Sequence, residues 1–230
     1  MIPWLEPDEP FPPVETALRE PNGLLAAGAD LSPARLLDAY ARGIFPWFNE
    51  EEPPLWWSPD PRMVVFASER RVTRSLRRVI RSGRFRVTMD TAFTDVVEGC
   101  AEPRLDQDGT WITPQIFEAY TALAKLGYAH SVETWDEGEL VGGLYGVAIG
   151  RMFFGESMFA RRSDASKVAF VSMLAQLEAW GMPLVDCQVP TAHLASLGGR
   201  EIPRSAFLEQ VRGLVRQPPV PAPWRFYNGD

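Results

Sequence analysis

Cysteine and histidine are both scarce in this 230-residue chain, which has only Cys100, Cys187, His130 and His193. Two cysteines build no disulfide framework, so a reducing cytoplasm is the default compartment. Without a Cys/His cluster at ligand spacing, neither a structural nor a catalytic zinc is expected. No stretch approaches the roughly 20 apolar residues of a membrane span. The N-terminal run Met1-Ile2-Pro3-Trp4-Leu5-Glu6-Pro7 lacks the basic start and apolar core of a signal peptide. There is no P-loop. Gly142, Gly143, Gly146 and Gly150 lie in a strand-like run of small and apolar residues, not in a strand–turn–helix, which excludes a dinucleotide fingerprint. What remains is the composition of a globular protein, 46% apolar and 23% charged, with room for one large domain or two small ones.

One further absence is local. Between Arg70 and Arg86 there is no Asp or Glu, while eight of the 21 arginines fall there: Arg70, Arg71, Arg74, Arg77, Arg78, Arg81, Arg84 and Arg86. That segment carries +8 in a chain of net charge −7, leaving 15 basic against 30 acidic residues elsewhere. So sharp a separation suits one face that meets a polyanion while the rest repels it; the plainer alternative is a solvated helix face. Arg70, Arg74, Arg77, Arg78 and Arg81 recur at three- and four-residue steps, and Val72, Leu76, Val79 and Ile80 do the same on the opposite side. The spacing predicts a basic helix over 70–82 that stops at Gly83 and lays guanidinium groups along phosphates. The overall negative charge opposes non-specific binding to long DNA, so a compact nucleic acid touching only this patch fits better.

Along the chain, residues 1–13 hold five prolines and read as an irregular arm. Ser32-Pro33 opens a helix to Arg42 that Gly43 ends. Residues 44–62 are too proline-rich for a helix. Their aromatics, Phe45, Trp47, Phe48, Trp56 and Trp57, can serve as core or as a platform for bases. A domain boundary is placed near residue 62. Beyond it the pattern gives a strand at 85–89, a helix near 92–100, a polar loop at 102–109 and a helix from Trp111-Ile112-Thr113-Pro114 to about 126. Strands follow at 130–135, 140–149 and 152–159, with a hairpin turn at 136–139. A long helix over 163–180, a buried strand over 183–189, two more helical stretches near 191–197 and 205–215, and a proline-rich tail complete an α+β layout.

Two segments carry candidate chemistry. Gly155-Glu156-Ser157-Met158-Phe159 puts a carboxylate into an apolar strand. In Leu184-Val185-Asp186-Cys187-Gln188-Val189, strand alternation places Asp186 and Gln188 on one face and Cys187 on the other, which argues against a nucleophilic Cys187. A buried acid is costly unless paired or used. The bland reading is that Asp186 accepts backbone hydrogen bonds and Glu156 pairs with an arginine.

Taken in order, the motifs resemble those of the bacterial leucyl/phenylalanyl-tRNA–protein transferases over almost the whole length. The matching segments include Glu20-Pro-Asn-Gly-Leu-Leu25, Gly43-Ile-Phe-Pro-Trp-Phe48, Trp56-Trp-Ser-Pro-Asp-Pro-Arg62, Gly109-Thr-Trp-Ile-Thr113, Gly155-Glu-Ser-Met-Phe159 and Asp186-Cys-Gln-Val189. The resemblance implies a small N-terminal domain (1–62) and a larger domain (63–230) similar to the N-acetyltransferase superfamily (GNAT-like). It implies transfer of Leu or Phe, and Met less well, from aminoacyl-tRNA to proteins or peptides beginning with Arg or Lys, which marks them for N-end-rule degradation. No cofactor or metal is implied, and no membrane or DNA partner.

Residue by residue, the resemblance implies that Trp47 and Trp111 stack on the tRNA's terminal adenosine, with Tyr40 and Tyr120 nearby. Leu144, Phe153, Phe170, Met173, Leu177 and Val185 would line the aminoacyl pocket. Arg74, Arg78 and Arg81 would hold the acceptor-stem backbone. Glu156, Asp186 and Gln188 would form the polar set at the reacting bond, with Gln188 orienting the attacking amine, Asp186 stabilising the charge that develops there, and Glu156 attracting the cationic N-terminal residue. Rival readings are an acyl-CoA-dependent N-acetyltransferase, an aminoacyl-tRNA-dependent cell-wall peptide transferase and a non-catalytic tRNA-binding module. The first is disfavoured because Ala160-Arg-Arg-Ser-Asp-Ala-Ser-Lys167, where a pyrophosphate loop would lie, has no glycine.

Overall fold

The computed structural model describes residues 2–103 and 110–226. Most of the expected polar loop, and Gly109 of one motif, lie outside the described residues. Two sheets organise the molecule. The smaller has four strands, β1 (Trp4–Leu5), β2 (Leu24–Gly28), β3 (Phe45–Pro46) and β4 (Leu55–Trp57), in the order β1-β2-β4-β3. Helix α1 (Pro33–Ala41) connects β2 to β3. Its start is chemically defined: Ser32 accepts a hydrogen bond from the Arg35 N–H, and Pro33 occupies the first turn. Gly43, at φ +73°, turns the chain out of α1, and a Cβ there would meet a Leu208 methyl at 2.5 Å.

The larger sheet has seven strands in the order β11-β5-β10-β9-β8-β7-β6. These are β5 (Arg62–Phe66), β6 (Arg86–Met89), β7 (Ala129–Asp136), β8 (Glu139–Ile149), β9 (Met152–Ala160), β10 (Leu184–Gln188) and β11 (Arg200–Ile202). Every pairing is antiparallel except β9 with β10, which are parallel and joined by helix α5 (Ala165–Ala179). The remaining helices are α2 (Arg74–Arg81), α3 (Phe93–Ala101), α4 (Pro114–Lys125), α6 (Ala192–Ser196) and α7 (Arg204–Leu214). The architecture is α+β.

Two apolar clusters hold these layers together. One runs from the small sheet and α1 through α3, α4 and α7 to one face of the large sheet, so the two sheets share a core. The other lies under α5 on the opposite face and includes Leu144, Phe153, Phe170, Met173, Leu177 and Val185. The short strands β1 to β4 were not visible in the sequence, because runs of two to five residues among prolines carry no alternation.

The basic helix forms, but over Arg74–Arg81 and not from residue 70 as expected. Thr73 caps it, accepting from the Leu76 N–H, and Leu76 is its one fully buried side chain. Ile80, expected to face inward, is 39% exposed, while Leu76 and Val79 of α2, with Val72 just ahead of it, pack against the cluster under α5. Arg70 lies before the helix and pairs with Glu178, while Arg84 pairs with Asp136. Arg74, Arg77, Arg78 and Arg81 are exposed and, among the described residues, have no acidic partner within ion-pair distance.

Candidate active site

Strands β9 and β10 run paired only as far as Phe154 opposite Asp186. Immediately beyond, each strand is irregular. Between Tyr145 and Gly146 the partner residues jump from Ser157 to Gly155, so Glu156 is the extra residue of a bulge in β9. Between Asp186 and Gln188 the β5 partners advance only from Val64 to Met63, so Cys187 is the extra residue of a bulge in β10. Gln188 completes that bulge in the left-handed region, at φ +63°. The strands part at this level and a cavity of about 1600 Å³ opens between them.

The bulge corrects the alternation expected for 186–188. Asp186 is not beside Gln188 on the cavity wall. It is fully buried, and Arg62 of β5, equally buried, grips both its oxygens: Nε to Oδ1 at 2.8 Å and the second guanidinium nitrogen to Oδ2 at 2.7 Å. Asp186 Oδ1 also accepts the backbone N–H of Gln188 at 2.9 Å. Asp186 therefore fixes the backbone of Gln188 and does not face the cavity, so direct stabilisation of a charge developing on the amine is not open to it. Cys187, expected to face away, lines the cavity together with Gln188. Burial pushes its thiol far above the usual range, which keeps it protonated and non-nucleophilic.

Glu156 lines the cavity without an arginine. Its Oε1 accepts from the Tyr40 hydroxyl at 2.7 Å and from the Gln188 side-chain amide at 2.9 Å; its Oε2 lies within hydrogen-bond distance of the Tyr120 hydroxyl, at 2.9 Å. The two tyrosine hydroxyls also bond to each other. Burial pushes the Glu156 carboxyl up to about 8, overriding the downward pull of its hydrogen bonds to Tyr40, Tyr120 and Gln188. Tyr40 and Tyr120, expected near the adenosine, are fully buried behind Glu156. Burial raises both hydroxyls well above the ordinary tyrosine range.

The other expected residues divide cleanly. Trp47, 49% exposed, and Trp111, half-buried, both line the mouth of the cavity. Leu144, Phe153, Phe170 and Met173 line its apolar end. Gly146 makes room there, since a Cβ at that position would stand 2.6 Å from the Phe153 ring. Leu177 and Val185 are fully buried in the cluster beneath and do not reach the lining. Arg74, Arg78 and Arg81 lie outside the lining, on exposed positions of α2. Sequence reasoning missed Arg62, whose partner is 124 residues away, and the acidic lip Glu50, Glu51 and Glu52. Among the described residues no cluster of His, Cys, Asp and Glu could hold a metal, and no helix is long and apolar enough to cross a membrane.

Comparison with known proteins now bears on this geometry. The family model described as leucyl/phenylalanyl-tRNA protein transferase matches residues 64–212, and that of its N-terminal domain matches residues 29–60. The leucyl/phenylalanyl-tRNA–protein transferase of Nitrosospira multiformis is 60% identical over 215 residues, covering 94% of this chain and 93% of its own. That of Stutzerimonas stutzeri is 58% identical over 226 residues, covering 98% and 100%. Among solved structures, a GCN5-related N-acetyltransferase from Kribbella flavida aligns at a TM-score of 0.39 with 11% identity, over 74% of this chain and 60% of that one. With matches of this extent and identity across both parts of the sequence, the chain belongs to the leucyl/phenylalanyl-tRNA–protein transferase family and is an aminoacyltransferase.

Proposed function

We propose that this protein moves leucine or phenylalanine, and methionine less well, from aminoacyl-tRNA to the N-terminal α-amine of proteins that begin with arginine or lysine. The reaction belongs in the cytoplasm and tags those proteins for N-end-rule degradation. Residues 1–62 act as a smaller domain and residues 63–230 as the catalytic one. The observation that carries the reading is a single cavity with three zones: an aromatic mouth (Trp47, Trp111), an apolar end (Leu144, Phe153, Phe170, Met173) and a polar floor (Glu156, Gln188).

Each zone suits one part of the reaction. Stacking of a terminal base on an indole contributes about 1–3 kcal/mol. Burying a Leu or Phe side chain gains about 1.5–3 kcal/mol. One methylene discriminates by only about 1–3 kcal/mol, so methionine leaks through. Charged aminoacyl groups are excluded by desolvation. The lip of Glu50, Glu51 and Glu52 attracts a cationic acceptor, and exposed Arg74, Arg78 and Arg81 meet the acceptor-stem phosphates.

At the floor, the amine attacks the ester carbonyl and the ribose oxygen leaves. A free α-amine has a pKa of about 7.7–8.0, so roughly a tenth is neutral near pH 7 and positioning supplies much of the rate. The Gln188 amide N–H is committed to Glu156, which leaves its carbonyl oxygen to accept from the attacking amine. A carboxamide is too weak a base to do more. Asp186 acts one step back, through the Gln188 backbone.

The test is direct. Labelled Leu-, Phe- and Val-tRNA are offered with peptides beginning with Arg, Lys or Ala. Transfer of Leu and Phe to the Arg and Lys peptides is expected. Transfer from Val-tRNA to the Ala peptide, or no transfer at all, overturns the reading.

A further inference from the structure

Tyr40, Tyr120 and Glu156 make a closed cycle of three oxygen–oxygen contacts: Glu156 Oε1 with the Tyr40 hydroxyl at 2.7 Å, the two hydroxyls with each other, and the Tyr120 hydroxyl with Glu156 Oε2 at 2.9 Å. Each contact needs one proton between its oxygens. The two hydroxyls supply two. If Glu156 were ionised, one contact would set lone pair against lone pair inside the protein core, where an unpaired polar contact is most costly. A third proton on the carboxyl closes the cycle. Oε1 already accepts from both Tyr40 and Gln188, so the proton belongs on Oε2, donated to Tyr120, which then donates to Tyr40.

The geometry points to Glu156 being a neutral carboxylic acid, its one proton held in place by Tyr40 and Tyr120, that protonates the departing ribose oxygen. This rests on the aminoacyl transfer proposed above and specifies its proton path. As the amine nitrogen bonds to the carbonyl carbon and the carbon–oxygen bond to ribose breaks, the ribose oxygen takes the proton from Glu156. The positively charged new amide nitrogen then loses its proton to the Glu156 carboxylate. The net change is one proton moved from amine to ribose hydroxyl, with Glu156 restored. A concerted shift around the cycle exchanges the proton between Oε2 and Oε1, so the two transfers can use different oxygens. Only Glu156 of the three lines the cavity, which makes it the catalytic residue and the tyrosines positioning residues.

Several other ionisable groups surround Glu156, and His193 of α6, whose imidazole burial lowers below its usual range, lines the same cavity. Facing Glu156 are Tyr40 from α1, Tyr120 from α4, Tyr145 from β8, and Asp186, Cys187 and Gln188 from β10, with Arg62 of β5 paired to Asp186. The three tyrosines and the thiol are all displaced upward by burial, away from neutral pH.

Infrared difference spectra of the full chain, wild type against Glu156→Gln, test the stored proton without substrate. A protonated-carboxyl band is expected at neutral pH, fading as the pH rises through about 8. Tyr40→Phe and Tyr120→Phe should each move that band to the higher frequency of a less strongly bonded acid. In single-turnover transfer, Glu156→Gln should be slower by about 10²-fold and should lack the alkaline decline of the wild type. Absence of the band at neutral pH, an unmoved band in both tyrosine variants, or wild-type transfer by Glu156→Gln overturns the proposal. A protein that shows the band but transfers from no aminoacyl-tRNA sustains the stored proton and overturns the reaction instead.

Discussion

The indole of Trp224 lies flat on the imidazole of His130, with ring centroids 3.7 Å apart and planes 5° from parallel. Asp90 clamps both partners: its Oδ2 accepts the Trp224 backbone N–H at 2.6 Å and contacts His130 Nδ1 at 2.8 Å. The same indole backs Phe153, at 5.8 Å between centroids, so the C-terminal strap braces the rear of the cavity's apolar end.

Trp224→Ala is therefore expected to cost about 3–5 kcal/mol of stability, as for other buried aromatics cut to alanine. Urea unfolding measures it. Trp224→Phe, which keeps a ring against His130, should recover part of the loss. An Ala variant as stable as wild type would mean the strap is not bound in solution.

Arg62 and Asp186 form a fully buried pair. Removing either partner's charge strands the other's, so Arg62→Met or Asp186→Asn alone should each destabilise by about 3–5 kcal/mol. The double change Arg62→Met with Asp186→Leu should restore much of that stability. It should not restore transfer, because the Gln188 N–H then has no carboxylate to hold its left-handed backbone. Full activity in the stable double variant would remove Asp186 from the positioning of Gln188.

Arg74, Arg78 and Arg81 are exposed, so replacing all three by alanine should leave the unfolding midpoint unchanged. Affinity for aminoacyl-tRNA should fall, and the slope of log affinity against log salt should flatten by roughly 0.7–0.9 for each arginine lost. Filter binding over a salt series decides. An unchanged slope would return α2 to the status of a solvated helix.

The Glu156 carboxyl binds its proton more tightly in the folded chain, at about 8, than at its ordinary value of 4.5. Between those two values the folded form holds the extra proton, so stability falls as pH rises across that window and this contribution is lost by the time pH passes about 8. Denaturation of wild type and Glu156→Gln at a series of pH values should show the flatter dependence in the variant. Parallel curves would place the carboxyl's proton elsewhere.

How much of this was legible in the sequence depended on the range of the interaction. The basic helix was readable because its stripe and stop lie within a dozen residues of one another, while its Thr73 cap, and so its true start, was missed. The strands around the 136–139 hairpin were readable for the same reason, their pairing being local. The motifs singled out Glu156, Asp186 and Gln188 as a set. Their arrangement was not readable, because it turns on two bulges, and a bulge is an agreement between strands that neither strand announces alone. Nor could spacing reveal that Tyr40, Tyr120 and Glu156 share one point, since they come from two helices and a strand spread over 116 residues.

Arg62 does more than neutralise Asp186. Its guanidinium also donates to the Gly43 carbonyl at 3.1 Å, between the rings of Phe45 and Phe207. Gly43 follows the helix that brings Tyr40 to Glu156. Helix α1 and strands β5 and β10 are thus tied together beside Glu156 and Gln188, so this corner of the cavity is shaped by contacts between distant parts of the chain.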